Sequence, residues 1–458
     1  MIAAETTVDL SEWRTGGPLE GEHLDPDPAV NALAEDLSRS GRLVVTDHYR
    51  AGVCFQATSY VGRVKIGRLL VSIRPKLEAV PLLQLLRYVY GLRDLTMYGA
   101  ASFGIREQTF VDVLLHQLAT EAEEILARGL HRAYQRAHGR LVSPRGRIDM
   151  LGVVRASGRP EARVPCTWFP REEDTPLNRV LLAGLRTGCR LTGSVDLRGR
   201  LRRIAAQMDG AVSSIRLDQT SLEDAERNST RLTRAYGPAL RLIRILLDGM
   251  GMSLDEGGPE VPLPGFLFDM NRFFQALVGR FLRENLVGLS VREEHSLHGV
   301  VRYAPGHNPR NRRTPTPRPD FALLREGKVL CLLDAKYRDL WETPLPRDML
   351  YQLALYALGN KQAGPGAGSK RGRAVILYPV VGGENEGTFR PEQRIEILDP
   401  TSRLQMAEIV LRSVDLRYLS ELVRPRAARL RLRERQAYAG MLALGRSRGA
   451  VSRQVAIC

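Results

Sequence analysis

The sequence predicts a multidomain α+β protein, with a small β-rich N-terminal domain, a mainly helical middle region and a C-terminal α/β domain. Three patterns carry this reading. Residues 43–75 alternate β-branched and polar side chains, the period of half-buried strands. From Pro81 to about Met250, apolar residues recur at i, i+3, i+4 and i+7, the spacing of amphipathic helices. Beyond residue 265 come a helical stretch, two short apolar runs, a second helical stretch and a third apolar run. That order suits an α/β core whose sheet is covered on both sides.

Composition narrows the function. The chain has 458 residues, 43% hydrophobic and 26% charged, a globular balance. No run reaches the roughly 18 apolar residues of a membrane helix, so no membrane association is expected. The N-terminus "MIAAETTVDLSEWRTGG" is acidic and has no basic segment followed by an apolar core, so a cytoplasmic location is expected. Five scattered cysteines with no CxxC pair suggest neither a disulfide framework nor a structural zinc, and Cys331 reads as a buried thiol. Lys and Arg total 67 against 51 Asp and Glu, a surplus of 16 that favours a polyanionic partner, nucleic acid first.

Along the chain, residues 1–42 read as a polar acidic lead-in, with "GGPLEGEHLDPDP" as a loop. Residues 43–100 form the β-rich domain, a meander or small barrel punctuated by Gly62 and Gly67. Residues 101–255 are mainly helical, and "FVDVLLHQLATEAEEILARGLHRAYQRA" carries apolar residues at helical spacing. "LVSPRGRIDM" predicts a turn and a short strand. In "DTPLNRVLLAGLRTGCRLTG" Thr175 is suited to the N-cap and Pro176 to the first helical position. Gly and Pro between 251 and 265 mark a boundary. The α/β domain then spans 262–400, opening with a helix that Asp269 can cap, and 401–458 reads as a basic helical tail.

The chemistry concentrates in "RPDFALLREGKVLCLLDAKYRD", residues 318–339. Two strands joined by a tight "REGK" turn would bring Asp320 beside Asp334. Strand alternation puts Asp334 and Lys336 on one face. Two carboxylates a few ångströms apart repel, and a divalent cation is the usual reason to tolerate them. Mg²⁺ accepts one or two carboxylates with water and phosphate, and the Ala335 carbonyl could add a ligand. The bland alternative is a same-face ion pair on an exposed strand. On the following helix, Gln352 and Tyr356 lie four residues apart, on one face.

Pro319-Asp320, Asp334-Ala335-Lys336 and Gln352 with Tyr356 resemble the PD-(D/E)xK nuclease signature with its QxxxY helix. In order, "FDMNRFFQALVGRFL", "RPDFALL…VLCLLDAKY", "MLYQLALYAL" and "VILYP" resemble the McrC family, the nuclease subunits of the McrBC modified-cytosine restriction system. "YVGRVKIGRLLVSIRPKL", "RGRIDM" and "DTPLNRVLLAGLR" extend the resemblance over roughly residues 58–400. It implies a restriction-endonuclease-like C-terminal fold, Asp320 and Asp334 as ligands of Mg²⁺ (or Mn²⁺), Lys336 as catalytic lysine, and Gln352 and Tyr356 as supporting residues. Where many such nucleases carry a Glu on the preceding helix, this chain has Gln275, a weaker metal ligand.

The resemblance also implies partners: a McrB-like hexameric AAA+ GTPase, docked by residues 101–255, and double-stranded DNA. No nucleotide site of the chain's own is then expected, and "GPGAGSKRG" (364–372) does not follow the GxxxxGK[ST] order. Arg310, Arg312, Arg313 and Arg318, just before the hairpin, are candidates for holding DNA phosphates, and Arg145 and Arg147 for DNA or the partner. His295, His298 and His307 match no metal spacing. A second reading keeps the ring-activating half and makes the nuclease-like half a non-catalytic DNA holder.

Overall fold

The computed structural model describes residues 6–92, 110–155, 163–250, 265–360, 372–381, 390–424 and 431–445. The chain divides into two compact units made of interleaved segments. One takes Met1–Val8, Gly62–Ser72 and Arg93–Phe268, the other Asp9–Val61, Ile73–Leu92 and Asp269–Cys458.

The first unit is largely helical, with helices at Phe110–Arg128, Pro176–Leu191, Val195–Met208, Gln219–Arg227 and Gly237–Gly249. The Pro176 helix begins as the sequence predicts: the Thr175 side chain accepts the Asn178 N–H, and Pro176 opens the first turn. The helix from Phe110 is shorter than its periodicity suggests. Gly129 adopts φ +89°, a left-handed residue that ends a helix. The chain beyond it forms strands at Ala133–Tyr134 and Ala137–Leu141. The latter joins Val164–Trp168 and Arg147–Ile148 in a three-stranded sheet, which contains the short strand expected near "RGRIDM".

The N-terminal 42 residues are more structured than a lead-in. They hold a strand at Thr6–Ser11 and a helix at Pro28–Arg39. The "DPDP" read as loop supplies that helix's start, because the Asp27 side chain accepts the Ala29 N–H and Pro28 follows it. The predicted meander is present as strands Leu43–His48, Gly52–Ala57, Tyr60–Ile66 and Leu69–Arg74. They fall in two sheets, however, with the first two paired to each other in a two-stranded sheet.

The second unit contains the element series that positions the site. In chain order these are α1 (Met270–Asn285), β1 (Ser290–Glu293), β2 (Phe321–Arg325), β3 (Lys328–Ala335), α2 (Arg347–Gly359), β4 (Gly372–Val380), β5 (Gln393–Leu398), β6 (Gln405–Asp415), α3 (Leu416–Leu422) and α4 (Leu432–Leu444). The sheet order is β1-β2-β3-β4-β6-β5. β3, β4 and β6 run parallel, and β1, β2 and β5 pair antiparallel. The "REGK" turn is tight because Glu326 (φ +50°) and Gly327 (φ +79°) both take left-handed conformations, as a two-residue hairpin loop requires.

Alternation sorts the side chains. Ala322, Leu324, Leu332, Ile376, Tyr378 and Ile409 form one core with Leu353, Tyr356 and Ala357 of α2. On α1, Asp269 caps the first turn as expected, and Met270, Phe273, Phe274, Leu277, Val278, Phe281 and Leu282 are all buried. Phe321 packs against α1 at Gly279, where a Cβ would lie 2.7 Å from its ring. The sheet is thus covered on both faces. It also runs past residue 400: β6, expected as part of a basic tail, is a buried strand between β4 and β5. Its run "AEIVLRSV" is apolar enough for a core strand, and the nearby arginines obscured it. The boundary at 251–265 and the "GPGAGSKRG" segment lie, apart from one terminal residue each, outside the described residues, as do 425–430 and 446–458.

Candidate active site

β2 and β3 pair with Phe321 opposite Leu333. One residue further, Asp320 comes opposite Asp334, and directly opposed residues project from the same face. The Ala335 N–H donates to Asp320 Oδ2 at 2.7 Å, tying this carboxylate to the neighbouring strand. Gln275, from α1, donates its Nε2 to Asp320 Oδ1 at 3.0 Å. The Lys336 ammonium lies 3.1 Å from Asp334 Oδ2. Asp334 is buried and Lys336 partly so. The Lys336 N–H donates to the Leu377 carbonyl of β4, so the end of β3 stays fixed to the parallel core.

Burial and then the charge of Asp334 push the Asp320 carboxyl up to about 6, against the opposing effects of Lys336 and the Ala335 N–H. Burial works to lower the Lys336 pKa, but the two aspartates outweigh it and hold the ammonium charged. The pair is therefore strained toward protonation on one side and locked cationic on the other.

From α2, Gln352 Nε2 donates to the Tyr356 hydroxyl at 2.7 Å, and that hydroxyl donates to the Arg318 carbonyl at 3.0 Å. Tyr356 is buried, and burial with the aspartate charges pushes its phenol up to about 12. This chain of bonds pins the residues leading into Asp320. The structure thus brings together Gln275, Asp320, Asp334, Ala335, Lys336, Gln352 and Tyr356. Arg310, Arg312, Arg313 and Arg318 have exposed side chains on the preceding segment, where the Asn308 side chain bonds the Arg312 backbone in both directions. Arg145 and Arg147 are exposed in the other unit.

The donor set fits a hard divalent cation. Two carboxylates and a nearby carbonyl match the one or two carboxylates that Mg²⁺ takes alongside water. Burial and then the charge of Asp334 push Asp320 up, and a bound cation would offset both by favouring the ionised carboxylate. Gln275, as it stands, is a hydrogen-bond donor to Asp320. Among the described residues no group of three His, Cys, Asp or Glu is arranged to hold a metal, and His295, His298 and His307 belong to no such group.

Two acids escaped the sequence reading. Glu294, held at φ +47°, donates its N–H to the Asp320 carbonyl at 2.9 Å and adds to the negative field on that carboxyl. Glu12 is fully buried, and burial pushes it up to about 7. It accepts a 2.9 Å bond from the hydroxyl of Tyr337, which follows Lys336 directly. A cavity of about 230 Å³ opens there, lined among others by Glu12, Trp13, Tyr337 and Trp341. Glu12 lies 325 residues from Tyr337 in a polar segment, and no local pattern marks such a pairing.

Comparison with known proteins places these residues in context. A family model described as "McrBC 5-methylcytosine restriction system component" matches residues 55–366. The fold is similar to a chain in the refined half-complex from a tetradecameric assembly of Thermococcus gammatolerans McrB AAA+ hexamers with bound McrC. That match has TM-score 0.59 and 22% identity, covering 93% of this chain and 100% of the other. A chain in the cryo-EM structure of the Thermococcus gammatolerans McrBC complex aligns at TM-score 0.46 and 22% identity, covering 63% of this chain and 90% of that one. No curated protein matches. Among the described residues no helix is long and apolar enough to cross a membrane.

Proposed function

The chain belongs to the family of McrBC 5-methylcytosine restriction system components, and we propose that it is the DNA-cleaving subunit of such a system, with a PD-(D/E)xK active site on β2, β3 and α2. The observation that carries this reading is the convergence of Asp320, Asp334 and Lys336 at the end of a buried parallel strand. Nothing in the packing calls for two carboxylates there. Ligands of α/β sheets gather at the carboxyl ends of parallel strands, where these residues lie.

Asp320, Asp334 and the Ala335 carbonyl would hold Mg²⁺, or Mn²⁺ in its place. When bound, such an ion offsets phosphate charge and lowers the pKa of water. Lys336 orients the attacking water and balances negative charge on the reacting phosphate. Hydrolysis adds that water across one P–O bond and leaves a phosphate and a hydroxyl end. Gln352 and Tyr356 keep Asp320 in position through Arg318, and the arginines at 310, 312, 313 and 318 hold the flanking phosphates in a salt-dependent manner.

A structurally similar chain comes from an assembly with McrB AAA+ hexamers. By that likeness this chain docks on a GTP-hydrolysing AAA+ ring, stimulates it, and cuts when the ring is active. Exposed Val142, Met150, Leu151 and Val154, clustered near the small three-stranded sheet, support docking through residues 101–255. In a restriction system the complex would act in the cytoplasm against foreign DNA.

Gln275 favours a second reading. An amide in place of a third carboxylate suits a fold that holds DNA and activates the ring without cutting. Co-expression with a neighbouring AAA+ gene product, followed by GTP hydrolysis and DNA cleavage assays with and without Mg²⁺, separates the two. Stimulated hydrolysis with Mg²⁺-dependent cutting supports the nuclease. Stimulated hydrolysis with no cutting under any condition supports the holder.

A further inference from the structure

The largely helical unit, which contains none of the carboxylate-site residues, encloses a cavity of about 1090 Å³. Six cationic side chains line it: Arg63, Lys65, Arg186, Arg190, Arg198 and Arg216. No Asp or Glu is among the described residues of its lining. Arg186 reaches an acid, Asp209, at 2.6 Å, while its other amine donates to Ser214. Arg198 is held by the Cys189 and Thr192 carbonyls, and Arg190 by the Thr187 hydroxyl. These neutral acceptors fix the Arg190 and Arg198 guanidinium groups in place without neutralising them.

Arg63 is the most telling member. Its Nε is buried with no acceptor, and an unsatisfied buried donor of a charged group is costly. The turn between helices Pro176–Leu191 and Val195–Met208 makes room for it. The Arg63 guanidinium lies against Gly193, where a Cβ would fall on it and shift it. The N-terminus of the second helix, capped by Ser194, begins beside Gly193 and adds the positive end of a dipole. Chain segments far apart in sequence therefore build one concentrated positive field. Clustered like charges repel in a partly enclosed site, and an anion with several oxygens removes that cost. Arg forks match phosphate geometry. Val111, Leu217 and Phe266 line the same cavity as apolar surface, which suits a sugar or base beside the phosphate.

We infer that this cavity is a second phosphate-binding site, for a nucleotide unit that is either free or part of a nucleic-acid strand. It is independent of the carboxylate centre and of whether that centre cuts.

The test uses the full-length protein in EDTA, so that no strand is cleaved. One arm titrates a fluorescein-labelled DNA duplex and the other a fluorescent guanosine triphosphate, each over a range of salt. Arg63→Gln combined with Arg216→Gln should weaken the binding ligand about tenfold. In the duplex arm it should also reduce the slope of log K against log salt by about 2, close to 0.9 per lost phosphate contact. A loss confined to the duplex assigns the site to a strand, and a loss in the triphosphate arm assigns it to a free nucleotide. Arg216→Glu, at an exposed position, repeats the measurement where folding is not at risk. Asp334→Ala should bind as the wild type does. Unchanged affinity and slope for both ligands in both arginine variants would overturn the inference.

Discussion

Asp320 and Asp334 oppose each other across the β2–β3 hairpin, and the Ala335 N–H, 2.7 Å from Asp320 Oδ2, holds them there. A register shift of one residue would turn one carboxylate to the opposite face. The buried apolar pairs Phe321–Leu333 and Ala322–Leu332 prevent that shift, so the core enforces a repulsive arrangement at its end.

The burial of Asp320, together with that repulsion, should be measurable as stability. The Asp320 carboxyl, ordinarily near 3.8, stands at about 6 in the folded chain. The folded state therefore keeps a proton that the unfolded state gives up, and stability falls as pH rises from about 4 through 6. Above that window the full cost applies, at most roughly 3 kcal/mol. Asp320→Asn should be more stable than wild type at pH 8 in EDTA, and the gap should shrink toward pH 4. Urea denaturation at the two pH values checks this.

Gln275 touches Asp320 Oδ1, so Gln275→Glu would place a third carboxylate at the cluster. With more anionic ligands, affinity for Mn²⁺ should rise by about tenfold or more. The metal-free protein should be less stable than wild type, because the added charge joins a repulsive set. Calorimetric titration of Mn²⁺ and a melting curve in EDTA report the two effects.

Tyr356 links Gln352 to the backbone that carries Asp320. Tyr356→Phe leaves the Arg318 carbonyl without its donor, at a cost of roughly 1–3 kcal/mol. Misplacement of the carboxylate should lower cleavage by about 10- to 100-fold, with DNA affinity unchanged. Single-turnover rates beside anisotropy titrations separate the two.

The site was legible in the sequence because its parts are local or periodic. Asp334 and Lys336 share a strand face, Gln352 and Tyr356 a helix face, and the Glu326–Gly327 turn sets the hairpin. The Asp269 and Thr175 caps were legible for the same reason. Long-range geometry was not. Glu12 reaches Tyr337 over 325 residues, and the basic cavity draws on Arg63, Arg190 and Arg216, which no window of sequence joins. β6 was hidden by charge in its surroundings, and helical spacing continued past Gly129, the residue whose backbone ends the Phe110 helix.

Asp334, if it belongs to a phosphodiesterase centre, is indispensable to cutting. The most direct measurement is conversion of supercoiled plasmid to cut forms by this chain with the proposed AAA+ partner, GTP and Mg²⁺, run beside Asp334→Ala. The wild type should cut and the variant should lose at least about 10³-fold, of the order removal of a central catalytic group produces, with GTP hydrolysis still stimulated. Equal cutting by both proteins, or none by either while both stimulate the ring alike, would contradict it.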